Sequence, residues 1–188
     1  LEAIQSWQPV KSASATARMR VQSIARAEDF RGISGTIHEG NFAIGDEVKI
    51  FPINKVARVG KIIYDFQEQK SAPEGQAVTL VLEPEVDATR GDLIAASSEE
   101  LHPSDRFNAH VVWFNEDALI HSRSYLLMSG PTQTPVIVTK IRHKIDVNTG
   151  EHNPANTLAM NEIGEVEIAT NQPLALLPYM QSREFGNF

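Results

Sequence analysis

Apolar and polar positions alternate along most of this chain with a period of two, and only its first residues follow a helical spacing. Leu1, Ile4 and Trp7 would share one helical face, but Pro9 and the run KSASATA follow at once, which predicts a helix end and then a flexible linker. From Arg18 onward the pattern predicts strands over residues 18–24, 32–38, 46–51, 56–64, 76–82 and 92–95. Each is bounded by Gly, Pro, Asn or charged turn residues. The polar stretch SSEELHPSD, residues 97–105, predicts a domain boundary, with Pro103 stiffening the entry to a second series. That series covers residues 107–114, 124–128, 135–145 and 163–170. In residues 134–144 the alternation places Val136, Val138 and Lys140 on one face and Ile137, Thr139 and Ile141 on the other. The expected fold class is all-β, with a helix remnant and linker in residues 1–18, a first barrel in 19–98 and a second in 104–188.

The segment DFRGISGTIHEGNFAIGDEVKIFP, residues 29–52, spaces glycines at 32, 35, 40 and 45 among β-branched and aromatic residues. A phosphate-cradling glycine loop would feed a helix, whereas residues 46–51 alternate as a half-buried strand. These glycines are therefore expected to serve turns, a bulge or a close approach of two backbones.

Composition narrows the function classes. The 188 residues are 41% hydrophobic, as in ordinary globular proteins. Apolar runs are far short of a bilayer span and no secretion signal opens the chain, so the expectation is a cytoplasmic protein without a membrane partner. With no cysteine there are no disulfides, thiolate metal sites or thiol nucleophiles. A net charge of -7 argues against a general nucleic-acid binder, because phosphate neutralisation needs a concentrated basic surface.

Candidate chemistry is sparse. The histidines at 38, 102, 110, 121, 143 and 152 are scattered without metal-ligand spacing. Glu83, Glu85 and Asp87, and Glu99 with Glu100, read as solvated loop charges. Arg90-Gly91-Asp92 spells an adhesion tripeptide but reads as a turn into the strand DLIAA. Asp29-Phe30-Arg31-Gly32 and Asn54-Lys55 imitate guanine-nucleotide motifs. The phosphate loop is absent and Ala57 replaces the purine-reading carboxylate, so no catalytic, cofactor-binding or metal-binding residue is expected in this chain. Lys140, Arg142 and Lys144 lie two apart on one strand and form a cationic ridge. It is either a solvated edge or a contact for an acidic protein or phosphate.

Several pieces, taken together, are familiar. DFRGISGTI at 29–37, AVTLVLEPEVDATRGDLI at 77–94, SDRFNAHVVWF at 104–114, YLLMSG at 125–130, VTKIRHKIDVNT at 138–149 and LAMNEIGEVEIATNQPLALLPY at 158–179 resemble domains two and three of the elongation factor Tu-like GTPases. Within that superfamily the resemblance is to the large, GTPase subunit of bacterial sulfate adenylyltransferase, also found fused to adenylylsulfate kinase. It implies barrels of the elongation factor Tu domain 2 and domain 3 types. It also implies that the nucleotide-binding domain, with its GTP and magnesium, precedes Leu1, and that further strands follow Phe188. In such enzymes a small subunit transfers the adenylyl group of ATP to sulfate, driven by GTP hydrolysis on the large one. The implied role of the barrels is docking and coupling, with the small catalytic subunit and the chain's own GTPase domain as partners. Arg142, Lys140 and Lys144, with Asn161 and Glu162 of the NEIG element, are the expected contact residues. The competing readings are the tRNA-binding barrels of a translational GTPase and a stand-alone interaction module.

Overall fold

The structure is a computed structural model that describes residues 16–27 and 30–188. The predicted helix end, most of the linker and Asp29 lie outside the described residues. Regular structure among the described residues is entirely β-strand, and no helix is long and apolar enough to cross a membrane. The chain divides between Glu99 and Glu100 into two compact units.

The first unit contains β1 (Arg18–Ala27), β2 (Phe30–Glu39), β3 (Asn41–Ala43), β4 (Glu47–Phe51), β5 (Lys55–Tyr64), β6 (Gln67–Gln69), β7 (Ser71–Pro73), β8 (Ala77–Glu83) and β9 (Leu93–Ala96). Six of them run antiparallel in the order β4-β9-β1-β2-β8-β5, and β5 pairs back onto β4. The ladder is thereby closed into a barrel with no open edge along its ring. Alternate positions point inward on β2, with Ile33 and Ile37, and on β8, with Val78, Leu80 and Leu82. Burying each such side chain contributes about 1.5–3 kcal/mol.

Two glycines of the quoted segment show what the spacing is for. A Cβ on Gly35 would collide with the Arg20 carbonyl oxygen on β1, so the close approach of β1 and β2 excludes any side chain there. Gly40 turns the chain between β2 and β3 with φ +66°, and a Cβ would run into the Ala17 backbone.

Glu99 departs from the solvated-loop expectation. It is only 7% exposed and accepts from Arg18 Nε at 2.8 Å and Nη2 at 2.7 Å, while Arg18 Nη1 donates to Glu39. The start of β1, the end of β2 and the exit after β9 are thus tied through one buried guanidinium. Nothing local announces this, because Arg18 and Glu99 are 81 positions apart. Glu85 and Asp87 also find a partner, both accepting from Arg31 Nη1, at 2.7 and 2.9 Å.

The second unit contains β10 (Ser104–Val112), β11 (Leu119–Ile120), β12 (Ser124–Ser129), β13 (Thr132–Ile145), β14 (His152–Asn153), β15 (Thr157–Leu158) and β16 (Ile163–Leu174). Its main sheet has the order β10-β16-β13-β12, with β14 on the end of β13 and a separate β11–β15 ladder. The outer strands β10 and β12 do not pair with each other. Residues 175–188 link them instead: Phe188 sets its ring edge-on to Phe107 of β10 at 6.1 Å, and Ser129 at the end of β12 donates to the Asn187 carbonyl at 2.9 Å. Phe185 is fully buried in this segment and accepts the Leu177 N–H at its carbonyl at 3.1 Å; Leu177 and Ala175 are buried as well.

The strict alternation expected for residues 134–144 fails after Val138. Register shifts fall between Val138 and Lys140 and between Ile141 and His143. The first turns Thr139 and Lys140 outward together and puts Ile141 into the core with Val136 and Val138. A bulge adds one residue to one strand and so reverses the face of everything after it.

Candidate interaction face of the second unit

The inner side of the main sheet carries Phe107, Ala109 and Val111 of β10, Val166 and Ile168 of β16, Val136, Val138 and Ile141 of β13, and Leu127 of β12. Alternation then forces the intervening residues outward. Arg106, Asn108 and His110 project from β10, Glu165 and Glu167 from β16, and Lys140 and Arg142 from β13. Register arranges them in rows. Asn108 lies opposite Glu167, which lies opposite Lys140; His110 lies opposite Glu165, which lies opposite His143.

Arg142 occupies the second bulge of β13, between the two rows. Its Nε donates to Glu167 Oε1 at 2.9 Å, and its Nη1 lies 3.6 Å from Glu165 Oε1. Among the described residues, neither Lys140 nor Arg106 belongs to an ion pair. Arg106, Asn108, Thr139, Arg142 and Glu167 line a shallow surface depression of about 270 Å³. Towards β12 the same face becomes apolar, with Ile137, Leu126 and Met128 at 43%, 60% and 53% exposure.

Lys144, Asn161 and Glu162 form a separate corner. Lys144 Nζ donates to Glu162 Oε1 at 2.8 Å, and Glu162 Oε2 accepts the Ala159 N–H at 2.9 Å. These two hydrogen bonds, that from Lys144 foremost, hold the Glu162 carboxyl below the usual carboxylate range. Asn161 has φ +67°, and its N–H donates to the Trp113 carbonyl at 2.6 Å. With Asp146, Asn148 and Asn153 these residues line a polar recess of about 190 Å³.

The five expected contact residues are therefore split between two places. Arg142 and Lys140 stand on the sheet face, and Lys144, Asn161 and Glu162 at its corner. Arg106, Glu165 and Glu167 were missed. The signal for the two acids is present in the sequence as the alternation Glu165-Val166-Glu167, but nothing local says that β16 lies between β10 and β13. The histidines are also less scattered than expected. Pairing of β14 with β13 stacks the His152 ring on His143 at 4.0 Å, and His143 Nε2 lies 3.7 Å from Glu165 Oε2.

Of the residues that imitate nucleotide motifs, Asp29 lies outside the described residues and the others have structural places. Gly32 sits inside β2, where a Cβ would strike the Thr79 side chain, and Asn54 takes a left-handed turn, φ +55°, between β4 and β5. No group of three or more His, Asp or Glu among the described residues could hold a metal ion. At the adhesion-like tripeptide, Gly91 has φ +98° and Asp92 is 8% exposed, accepting the Thr89 N–H at 2.8 Å. Burial pushes its carboxyl up, and the Thr89 hydrogen bonds oppose that shift. This carboxylate caps a turn into β9.

Residues 106–188 match the family described as GTP-eEF1A C-terminal domain-like. The chain is 40% identical over 172 residues to sulfate adenylyltransferase subunit 1 of Alteromonas mediterranea, covering 91% of this chain and 36% of that protein. It is 36% identical over 190 residues to the bifunctional enzyme CysN/CysC of Xylella fastidiosa, covering 100% of this chain and 30% of that protein. To the bifunctional enzyme NodQ of Azospirillum brasilense it is 40% identical over 160 residues, covering 85% and 26%. It thus spans about a quarter to just over a third of the length of these relatives. In structure it is similar to sup35 complexed with GDP, with a TM-score of 0.81 at 20% identity, covering 92% of this chain and 43% of that one. It is also similar to translation elongation factor SelB from Methanococcus maripaludis, with a TM-score of 0.71 at 18% identity, covering 92% and 39%. At these identities the two structures establish the fold, that of the elongation factor Tu-like barrels.

Proposed function

We propose that this chain, a homologue of the later part of the sulfate adenylyltransferase GTPase subunit, serves as the docking and coupling barrels of a sulfate-activating enzyme. The observation that carries the reading is the 36–40% identity to those proteins across nearly the whole chain. GTP and magnesium belong, in this reading, to another part of the parent protein, and adenylyl transfer to a separate small subunit. The barrels carry the nucleotide state from one to the other. That role requires the GTP and GDP states to differ in their contacts with the barrels, since a ligand shifts an equilibrium only by its differential affinity for the two states. Arg142, Lys140, Lys144, Asn161 and Glu162 are the proposed contact residues.

The test is calorimetry of the purified chain with the small adenylyl-transferring subunit. Saturable association is expected, and its absence overturns the reading. A fluorescent guanine nucleotide titrated into the chain alone should give no saturable signal. Micromolar binding abolished by a change at Asn54 would place a nucleotide site here after all.

A further inference from the structure

The cationic ridge is not a uniform positive surface, and its pattern selects a class of partner. Arg142 is already held by Glu167 and Glu165, so it offers little unspent charge to an incoming molecule. What it does is fix two carboxylates in the middle of the face. Of the cations on this face, those without an ion-pair partner among the described residues are Lys140 on β13, directly opposite Glu167 of β16, and Arg106 on β10, which is opposite Ala169 and so diagonal to Glu167. Neighbouring strands lie about 4.8 Å apart and each residue rises about 3.4 Å, so Lys140 lies about 5 Å and Arg106 about 8 Å from Glu167, backbone to backbone. Along the diagonal from Arg106 through Glu167 to Lys140 the face therefore reads positive, negative, positive, and it passes into the exposed apolar side chains of Ile137, Leu126 and Met128 at the β12 side.

We infer that this face binds a protein surface of alternating charge, with carboxylates opposite Arg106 and Lys140, a cation opposite Glu165 and Glu167, and an apolar rim against Ile137, Leu126 and Met128. The inference rests on the docking role proposed above and adds Arg106, Glu165, Glu167 and the apolar rim to Lys140, which the ridge already names. A nucleic acid is disfavoured by the same pattern. A phosphate backbone is a continuous row of negative charge, and bridging Arg106 and Lys140 would press it against Glu167. A protein can match each sign in turn, and such matching fixes orientation as well as attraction. Arg142 is a positioning residue here, because its fork holds both acids at once.

The experiment uses the full chain and the small subunit in calorimetry at two salt concentrations, with Arg106→Glu, Lys140→Glu and Glu167→Lys against Lys55→Glu, an exposed control on the first unit. Arg106→Glu and Lys140→Glu should each weaken binding about tenfold or more at low salt and less at high salt. Lys55→Glu should change nothing. Glu167→Lys is decisive in sign: it weakens binding to a surface of alternating charge and strengthens binding to a polyanion. All variants are monitored for an unchanged thermal melt. Equal affinity across the set overturns this inference and leaves the docking role standing. No association of the unmodified chain overturns the docking role and, with it, the inference. Tighter binding of Glu167→Lys to the small subunit, or binding of an RNA duplex that Glu167→Lys strengthens and Arg106→Glu abolishes, overturns it in favour of a polyanion site.

Discussion

The two units solve the problem of the sheet edge differently, and the difference bears on which of them presents a surface to a partner. In the first, β4 and β5 meet and the ladder closes on itself. Its strongest charge cluster, Arg18 with Glu39 and Glu99, is turned inward and spent on holding the barrel's entry and exit together. In the second, β10 and β12 stay apart and a coil segment links them through Phe188, Asn187 and the buried Phe185. Its charges are arrayed on the outside of the sheet. A barrel closed by its own hydrogen bonds is self-sufficient, whereas one closed by packing keeps two strands with unused backbone groups and an outward face rich in side-chain chemistry. The second unit is accordingly the one that carries the proposed interaction face.

The sharpest way to break this comparison is to remove the internal clamp of the first unit. Arg18→Ala leaves Glu39 and Glu99 buried without their guanidinium, and loss of one partner from a buried ion pair costs about 3–5 kcal/mol. In chemical denaturation the transition of the first unit should shift by that amount and that of the second should not. A change of less than ~1 kcal/mol would mean that the clamp is not what ties β1, β2 and the exit together.

Phe185→Ala tests the other unit. Truncating a fully buried Phe costs about 3–5 kcal/mol, with the lower end expected here because a coil can partly collapse around the gap. The loss should appear in the second transition, with increased proteolysis in residues 175–188. Unchanged stability of the second unit would show that the segment linking β10 and β12 does not contribute to closing it.

The smallest effect concerns Asp92. Burial raises its carboxyl pKa in the folded first unit, so the folded chain binds the proton more tightly than the unfolded chain, whose Asp titrates near ~4. The resulting stability is fully present below the unfolded pKa and is lost as pH rises through the folded one. Relative to Asp92→Asn, the wild-type chain should therefore lose stability as pH is raised through this acid range. A difference that stays flat, or grows, with rising pH would contradict the assignment.

Much of this protein was decided locally. Period-two alternation, punctuated by Gly, Pro and Asn, locates the main strands, because the pleat puts successive side chains on opposite faces whatever the strand pairs with. Gly35 and Gly40 were legible as structural glycines for the same reason: a side chain is excluded or a left-handed turn required. What the charges do was not legible. Arg18 meets Glu99 across 81 positions and Arg142 meets Glu167 across 25. The bulges of β13 shift its register on β16, and with it which cations find acids and which stay open. The stacking of His152 on His143 likewise waits on β14 pairing with β13. Alternation is a property of one segment, but the pairing of ions depends on which strands lie side by side and in what register, and only the assembled sheets decide that.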